Sequence, residues 1–124
     1  MMESSPLRLR LRLNGSRGVV MGPGRADLLD YIAQTGSIAA AGRRMGMSYK
    51  RAWNLVESLN ATFHHPLVET AKGGAAHGGA KLTPLGQELL AAFRVLEEAS
   101  RTAGAAAFKR IESALAVPPA PNPR

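Results

Sequence analysis

The side chains of Lys50, Arg51 and Asn54 are well suited to recognising a nucleic acid, and they recur at helical spacing. At about 100° per residue, Met47 and Ser58 fall on the same helix face, and this set contains two cations and an amide but no carboxylate. Lysine and arginine match the acceptors of guanine in the major groove, and asparagine matches adenine. The alternative is an ordinary solvated helix face without a partner.

Two helices joined by a tight turn are predicted to position this face, over residues 37–63. Ser37 can cap the first helix and Ser48 the second, and Gly46 between them tolerates the positive φ that a chain reversal needs. The predicted inward-facing residues are Ile38, Ala41 and Met45 in the first helix and Tyr49, Ala52, Val56, Leu59 and Phe63 in the second. Two caps that flank one glycine predict a helix-turn-helix.

A β-hairpin, here called the wing, is predicted after the second helix, over residues 67–83. Its two arms, residues 67–70 and 80–83, alternate in polarity, and the sequence between them is rich in glycine. In a winged helix such a tip lies along the DNA backbone or enters the minor groove, where Lys72, His77 and Lys81 would supply hydrogen-bond donors. The alternative is a glycine-rich surface loop that contacts nothing.

The N-terminal stretch LRLRLRL, residues 7–13, alternates strictly and predicts a half-buried strand. Its outer face would carry Arg8, Arg10 and Arg12, which would lie either near phosphates or, as we favour, on the solvated side of an edge strand. Residues 14–24 are rich in glycine but lack the spacing of a phosphate-binding loop or a dinucleotide fingerprint. They predict a linker or a second short strand.

A first helix is predicted over residues 25–34, with Gly36 just past its end. Its inward-facing residues are Leu28, Leu29, Ile32 and Ala33, so that it completes a three-helix core. The carboxylates of Asp27 and Asp30 would suit acid-base chemistry in a pocket, but a solvated helix face is the preferred interpretation.

A long helix is predicted over residues 84–116, with Thr83 as its cap and Pro84 at its first position. Its apolar stripe is longer than a small core requires, which favours pairing with a second copy; folding back onto its own domain would explain only its first half. Gly104 is predicted to break or bend this helix, and residues 117–124 are predicted to be disordered. The candidate dimerisation residues are Leu85, Leu89, Phe93, Leu96, Ala103 and Ile111.

The composition describes a basic chain of one domain, with 124 residues, a net charge of +7 and no cysteine. This charge suits a polyanionic partner. No apolar run is long enough for a membrane span or a signal peptide, so we expect a soluble cytoplasmic protein. His64 and His65 are adjacent and lack a third ligand, and no nucleophile triad is evident. We therefore predict no metal, no cofactor in this chain and no enzymatic activity.

The segments GSIAAAGRRMGMSYKRAWNLVESLN and LVETAKGGAAHGGAKLTPLGQELL resemble the N-terminal domain of ModE-like molybdate-responsive regulators, itself similar to the DNA-binding domain of LysR-type regulators. The resemblance covers roughly residues 7–110 and is tightest over 37–90. It implies a winged helix-turn-helix that dimerises through the helix after the wing and binds a palindromic operator. It assigns to the recognition helix Ser48, Tyr49, Lys50, Arg51 and Asn54, and to the wing Thr70, Lys72, Gly73, Gly74 and Lys81.

The expected fold is therefore mainly α with a small β-sheet, a winged helix-turn-helix over residues 1–83 followed by a dimerisation helix. The expected function is that of a homodimeric transcriptional regulator on double-stranded DNA, in which Ser37, Arg43 and Arg44 add contacts to the DNA backbone. Molybdate or tungstate enters only through the resemblance, because the chain stops after the dimerisation helix and is either a complete small regulator or a fragment. If it is complete, either a separate protein supplies the sensing or the abundance of the regulator is the signal. The alternative is a winged-helix adaptor that binds proteins and does not read DNA sequence.

Overall fold

The computed structural model describes residues 7–71 and 79–116. The predicted wing-tip residues Lys72, Gly73, Gly74 and His77, and the predicted disorder of residues 117–124, lie outside the described residues. In chain order the elements are β1 (Leu13–Gly15), β2 (Gly18–Met21), α1 (Pro23–Thr35), α2 (Ile38–Arg44), α3 (Tyr49–Thr62), β3 (Val68–Thr70), β4 (Ala80–Leu82), α4 (Pro84–Ala103) and α5 (Ala105–Ser113). The mainly helical winged architecture expected from the sequence is confirmed.

Both predicted caps of the helix-turn-helix are present. The Oγ atom of Ser37 accepts a hydrogen bond from the backbone N–H of Ala40 at 3.0 Å, and that of Ser48 accepts one from Arg51 at 3.1 Å. Gly46 has a φ of 71° in the turn between α2 and α3, a conformation that a residue with a side chain rarely adopts. Local chemistry therefore determines where these two helices begin and how the chain turns between them.

The core joins the apolar faces of α1, α2 and α3 to the wing strands and α4. Its most buried large side chains are Phe93, Leu28, Leu29, Ile32, Leu59 and Leu67. Two predicted inward-facing residues were placed wrongly. Ala33 is exposed although Ile32 beside it is buried, and Tyr49 is 57% exposed at the first turn of α3.

The predicted N-terminal strand is wrong for residues 7–12, which form no strand. Only Leu13 of the alternating stretch pairs, in an antiparallel hairpin where β1 meets β2 with a bulge between Leu13 and Asn14. An alternating pattern makes an extended segment favourable, but a ladder also needs a partner strand. The four residues of β2 are followed by Gly22 and Pro23, where α1 begins, so the strand offers no further pairing positions.

The two arms of the wing pair antiparallel, with Val68 opposite Leu82, Glu69 opposite Lys81 and Thr70 opposite Ala80. Val68, Ala80 and Leu82 are buried, so one face of the hairpin packs against the helices. Both predicted arms are therefore confirmed. Because the base of the wing belongs to the core, its position relative to the helix-turn-helix is determined by packing.

Asn60 on α3 connects the wing to the helix-turn-helix through hydrogen bonds, a role that the helical periodicity of the sequence did not predict. Its Oδ1 atom accepts hydrogen bonds from the backbone N–H groups of Leu67 at 2.8 Å and Val68 at 3.1 Å. Its Nδ2 atom donates to the carbonyl oxygen of Val68 at 3.0 Å. One side chain thus satisfies three backbone groups where the chain leaves α3 and enters β3.

We expect Asn60→Ala to lower the free energy of unfolding by about 2 kcal/mol, because it leaves buried backbone donors without an acceptor. The measurement is urea unfolding followed by circular dichroism. Asn54→Ala is the matched control, since Asn54 is exposed on the same helix, and its effect should stay within about 0.5 kcal/mol. Equal effects of the two substitutions would show that the contacts of Asn60 add nothing to stability.

The first half of the predicted dimerisation helix is used within the chain itself. Phe93 is only 2% exposed, and Leu85 and Leu89 pack against the core. These three residues were therefore placed wrongly as free interface positions, because α4 folds back along its own domain. The remaining candidate dimerisation residues are not covered by the domain. Leu96 is 43% and Ile111 64% exposed, and Ala103 is also exposed. Gly104 separates α4 from α5, as the sequence predicted.

Arg94 holds α4 against α1 through ion pairs to both predicted solvent-facing carboxylates of α1. Its guanidinium lies 3.0 Å from Asp27 and 2.7 Å from Asp30, and it also pairs with Glu97 at 3.0 Å. Partial burial disfavours the charged form, but the hydrogen bonds to these carboxylates outweigh it and raise the pKa of Arg94. Asp27 and Asp30 are 49% and 41% exposed, in keeping with the predicted solvated helix face, but the sequence did not predict their ion pairs with Arg94.

Candidate nucleic-acid interface

The N-terminal half of α3 presents an exposed polar face that the rest of the domain leaves open. Lys50, Arg51 and Asn54 are all exposed, and within residues 7–71 and 79–116 no side-chain hydrogen bond or ion pair engages them. The cap of Ser48 uses only the backbone N–H of Arg51, which leaves its guanidinium free. A face of two free cations and one free amide can donate to base edges and to phosphates.

The composition of this face differs from the prediction in two ways. Met47 is half-buried and packs against the core, so it belongs to the inner side of the turn. Glu57 lies seven residues after Lys50, on nearly the same helix face, and is exposed. A carboxylate therefore follows the cationic half of α3, and the helix is basic only in its first two turns.

Ser48 and Tyr49 occupy the start of α3 but have different surroundings. The Ser48 oxygen accepts the cap hydrogen bond, and its hydroxyl keeps one donor hydrogen and one further lone pair for other partners. The ring of Tyr49 lies 6.3 Å from that of Trp53, centroid to centroid, and Trp53 is half-buried against the core. An exposed aromatic ring supported by a second one therefore stands beside the polar face.

A groove of about 230 Å³ joins the starts of α2 and α3 to the base of the wing. It brings together three predicted contact residues, Ser37, Tyr49 and Thr70, which the sequence placed in separate elements. The residues that line it are Ser37, Ile38, Ala39, Tyr49, Trp53, Thr70, Ala71, Gly79 and Ala80. Helix-turn-helix and wing thus share one continuous concave surface.

The two arginines at the end of α2 are not equivalent. Arg43 is exposed, and within the described part of the chain its side chain has no bonding partner. Arg44 turns toward α1, where its Cζ atom lies 5.5 Å from the ring centroid of Tyr31 and Nη1 donates to Gln34 Oε1 at 3.5 Å. Arg44 therefore makes intramolecular contacts, and its role at the DNA backbone stays a prediction.

On the wing, the predicted contact residue Lys81 is exposed on β4. The strand register sets it directly across from Glu69, another exposed residue, so the cation of this arm is accompanied by a carboxylate. Thr70, one position further along β3, is exposed as well. The described part of the wing is therefore electrically balanced, unlike the first turns of α3.

A contact that the sequence did not reveal ties the start of α1 to the outer face of α3. Nη2 of Arg25 donates to the Ser58 hydroxyl at 2.9 Å, and Nη1 lies 3.5 Å from the carbonyl oxygen of Val20. Partial burial lowers the pKa of Arg25. The periodicity of α3 placed Ser58 on the outer face, but no local signal named its partner 33 residues earlier.

Neither a membrane-crossing element nor a metal cluster was found in the described ranges. No helix there is sufficiently long and apolar to cross a membrane. No group of three or more histidine, cysteine, aspartate or glutamate side chains is positioned there to hold a metal ion. His64 and His65 contact each other edge to face, with ring centroids 4.8 Å apart.

A capped helix-turn-helix, an open cationic face at the start of its second helix and a hairpin packed beside it define the class of winged helix-turn-helix proteins. Residues 25–87 match the family of bacterial regulatory helix-turn-helix proteins of the lysR type. The chain belongs to this family.

The chain is also similar in sequence to known proteins. Over 98 residues, 79% of this chain, it is 45% identical to the molybdenum-pterin-binding protein MopA of Rhodobacter capsulatus. Over 81 residues, 65% of the chain, it is 41% identical to the DNA-binding transcriptional dual regulator ModE of Escherichia coli K12. These matches span 37% and 31% of the two relatives' own lengths.

Among solved structures, the chain is similar to the protein in the crystal structure of the CbnR_DBD–DNA complex. The TM-score is 0.54 at 26% sequence identity, and the match covers 70% of this chain and 95% of the other. Similarity to a domain solved on DNA, together with the resemblance to ModE, confirms the family expected from the sequence.

Proposed function

We propose that this protein is a transcriptional regulator that binds double-stranded DNA in a sequence-specific manner, and not an enzyme. The observation that carries the proposal is the exposed face of Lys50, Arg51 and Asn54, three donor-bearing side chains at the start of a capped helix that have no partners among the described residues. The first turns of a recognition helix are the part that reaches base edges in the major groove. The groove to the base of the wing gives the sugar-phosphate backbone a place beside this helix.

We propose further that the regulator acts as a homodimer on a palindromic operator. The support is the apolar surface after the core-packed part of α4, where Val95, Leu96, Ile111 and Leu115 are 67%, 43%, 64% and 40% exposed. No residue of α5 is buried. A two-fold pairing of this surface would cover it and would set two recognition helices about 34 Å apart, the separation of successive major grooves.

A link to molybdenum or other metal-oxyanion metabolism completes the proposal. It is supported by the names of two relatives, one called molybdenum-pterin-binding and the other ModE. We propose no cofactor for this chain, so that molybdate or tungstate would act through another protein or segment. DNA binding makes the cytoplasm the expected site of action.

The experiment that tests the proposal is selection of bound fragments from sheared genomic DNA by the purified protein at about 150 mM salt, the physiological range. We expect a palindrome whose half-sites lie about one helical turn apart, with affinity that falls steeply as salt rises. Sedimentation of the protein alone and on the best fragment gives the stoichiometry, which we expect to be two chains per site.

Weak binding without sequence preference would overturn the proposal and favour a winged-helix adaptor that binds proteins. Selection of a single half-site with one chain per fragment would keep sequence-specific binding but contradict the homodimer. A palindrome near genes unrelated to metal oxyanions would contradict only the link to molybdenum.

A further inference from the structure

The first part of the chain is its most basic stretch. Residues 7–25 contain five arginines and no carboxylate. Arg8, Arg10, Arg12 and Arg17 are exposed, and within the described residues none of their side chains has a hydrogen-bond or ion-pair partner. A run of free guanidinium groups without a compensating acid repels itself and attracts polyanions.

The core holds this stretch in place. Leu11 and Val20 pack against the core cluster, and the side chain of Arg12 runs close to Gly22, where an added Cβ would lie 3.5 Å from Arg12 Cγ. Arg8, Arg10 and Arg12 alternate with leucines, of which Leu11 is half-buried. We call residues 7–12 with the β1–β2 hairpin the N-terminal arm.

The start of α1, which follows the N-terminal arm, contacts the face of α3 that carries the candidate base-reading residues. Arg25, at the junction of the arm with α1, contacts Val20 of β2 and donates to Ser58 of α3 at 2.9 Å. Ser58 lies seven residues after Arg51, which is about 10 Å along a helix axis. The helix that follows the arm, α1, therefore begins beside the C-terminal half of α3.

We propose that the N-terminal arm binds phosphates of the DNA that flanks the base pairs contacted by α3. This inference rests on the proposed DNA-binding function and extends it to a surface outside residues 25–87, the part that matches the family. Free arginines match phosphate geometry, and contacts of this kind add affinity without reading sequence. The arm adds four exposed cations to the domain, whereas the second half of α3 carries the carboxylate of Glu57.

The test measures the DNA affinity of the triple variant Arg8→Gln/Arg10→Gln/Arg12→Gln and of the wild type. Each protein is titrated with the selected operator and with an unrelated duplex. Both duplexes are used in a short form and in a form extended by one helical turn at each end. We expect the slope of log affinity against log salt to fall by roughly 2 to 3 for each bound chain on the extended duplexes, and so by roughly 5 for a homodimer, since each lost phosphate contact removes about 0.9. We also expect the wild type to gain affinity from the flanks and the variant to gain none. Base preference should be unchanged.

The charge control is Arg101→Gln/Lys109→Gln/Arg110→Gln, which removes the same charge from exposed positions on α4 and α5. Unlike the arginines of the arm, Arg101 pairs with Glu98 at 3.2 Å and Arg110 donates to Ser113 at 3.3 Å. The salt slope of this control variant and its gain from flanking DNA should equal those of the wild type. Thermal unfolding and sedimentation of both variants check that fold and assembly are retained.

If the arm variant and the control variant lost the same amount of salt slope, the effect would be one of general charge, and the inference would be overturned. The inference would also be overturned if the arm variant kept the salt slope of the wild type. If the wild type showed no base preference, only the proposed function would be contradicted. The salt slopes of the arm variant and the control variant could still be compared on the unrelated duplexes. The two failures are therefore distinguishable.

Discussion

Replacing Gly86 with alanine is expected to destabilise the domain by about 3 kcal/mol, because the added methyl group would overlap the carbonyl oxygen of Leu67. That oxygen cannot move freely, since it accepts a hydrogen bond from the backbone N–H of Thr83 at 2.9 Å. Gly86 itself donates to the Thr83 hydroxyl at 2.9 Å, and the hydroxyl donates to Pro66 at 2.8 Å. The substitution therefore forces apart the junction of wing and α4.

The measurement is the free energy of unfolding in urea. Gly24→Ala is the control: Gly24 lies in α1, and a Cβ there would meet no atom within 4 Å. We expect Gly24→Ala to be neutral or to stabilise by up to about 1 kcal/mol, because alanine restricts the unfolded chain. A Gly86→Ala protein as stable as Gly24→Ala would show that α4 and the wing are not in close contact in solution.

Arg51→Ala is expected to reduce the preference for the selected operator by about 1 to 3 kcal/mol at the base pair that it contacts, the range for a good bidentate pair. The side chain is exposed and has no partner among the described residues, whereas the backbone N–H that completes the Ser48 cap is retained. The fold should therefore keep its stability within about 0.5 kcal/mol. Binding loss with unchanged folding assigns the effect to recognition.

The measurement is the affinity of the wild type and the variant for the operator and for single-base variants of it. Lys109→Ala removes an exposed cation from α5 and should lower affinity for every sequence alike or not at all. If Arg51→Ala changed all affinities equally, Arg51 would contact phosphate and would not read a base. If nothing changed, the recognition face would lie elsewhere.

The local features of this protein were predictable from its sequence. The caps by Ser37, Ser48 and Thr83 and the turn at Gly46 are confirmed, because each depends on atoms within about four residues of one another. Both arms of the wing and the break at Gly104 follow from equally short patterns. The base-reading roles of Lys50, Arg51 and Asn54 stay predictions, although the described part of the structure leaves those side chains free.

The N-terminal stretch shows that alternating polarity alone does not determine whether a segment pairs as a strand. Alternating leucine and arginine predicted a strand over residues 7–13, but strand pairing depends on a partner, and β2 pairs with only Leu13–Gly15. In the same way the apolar stripe of the predicted long helix corresponds to buried positions only in its first half, and it did not reveal what covers them. Phe93 enters its own core, whereas Leu96 and Ile111 remain exposed.

The sequence by itself thus determined where helices begin, where the chain turns and which helix presents a cationic face. Only the tertiary structure decided that Asn60 secures the wing, that Arg25 reaches Ser58, and that Arg94 bridges to Asp27 and Asp30. The two carboxylates lie 67 and 64 residues from their arginine along the chain. Side chains so distant in sequence leave no periodic signal, because their contact depends on the packing of whole elements and not on local backbone geometry.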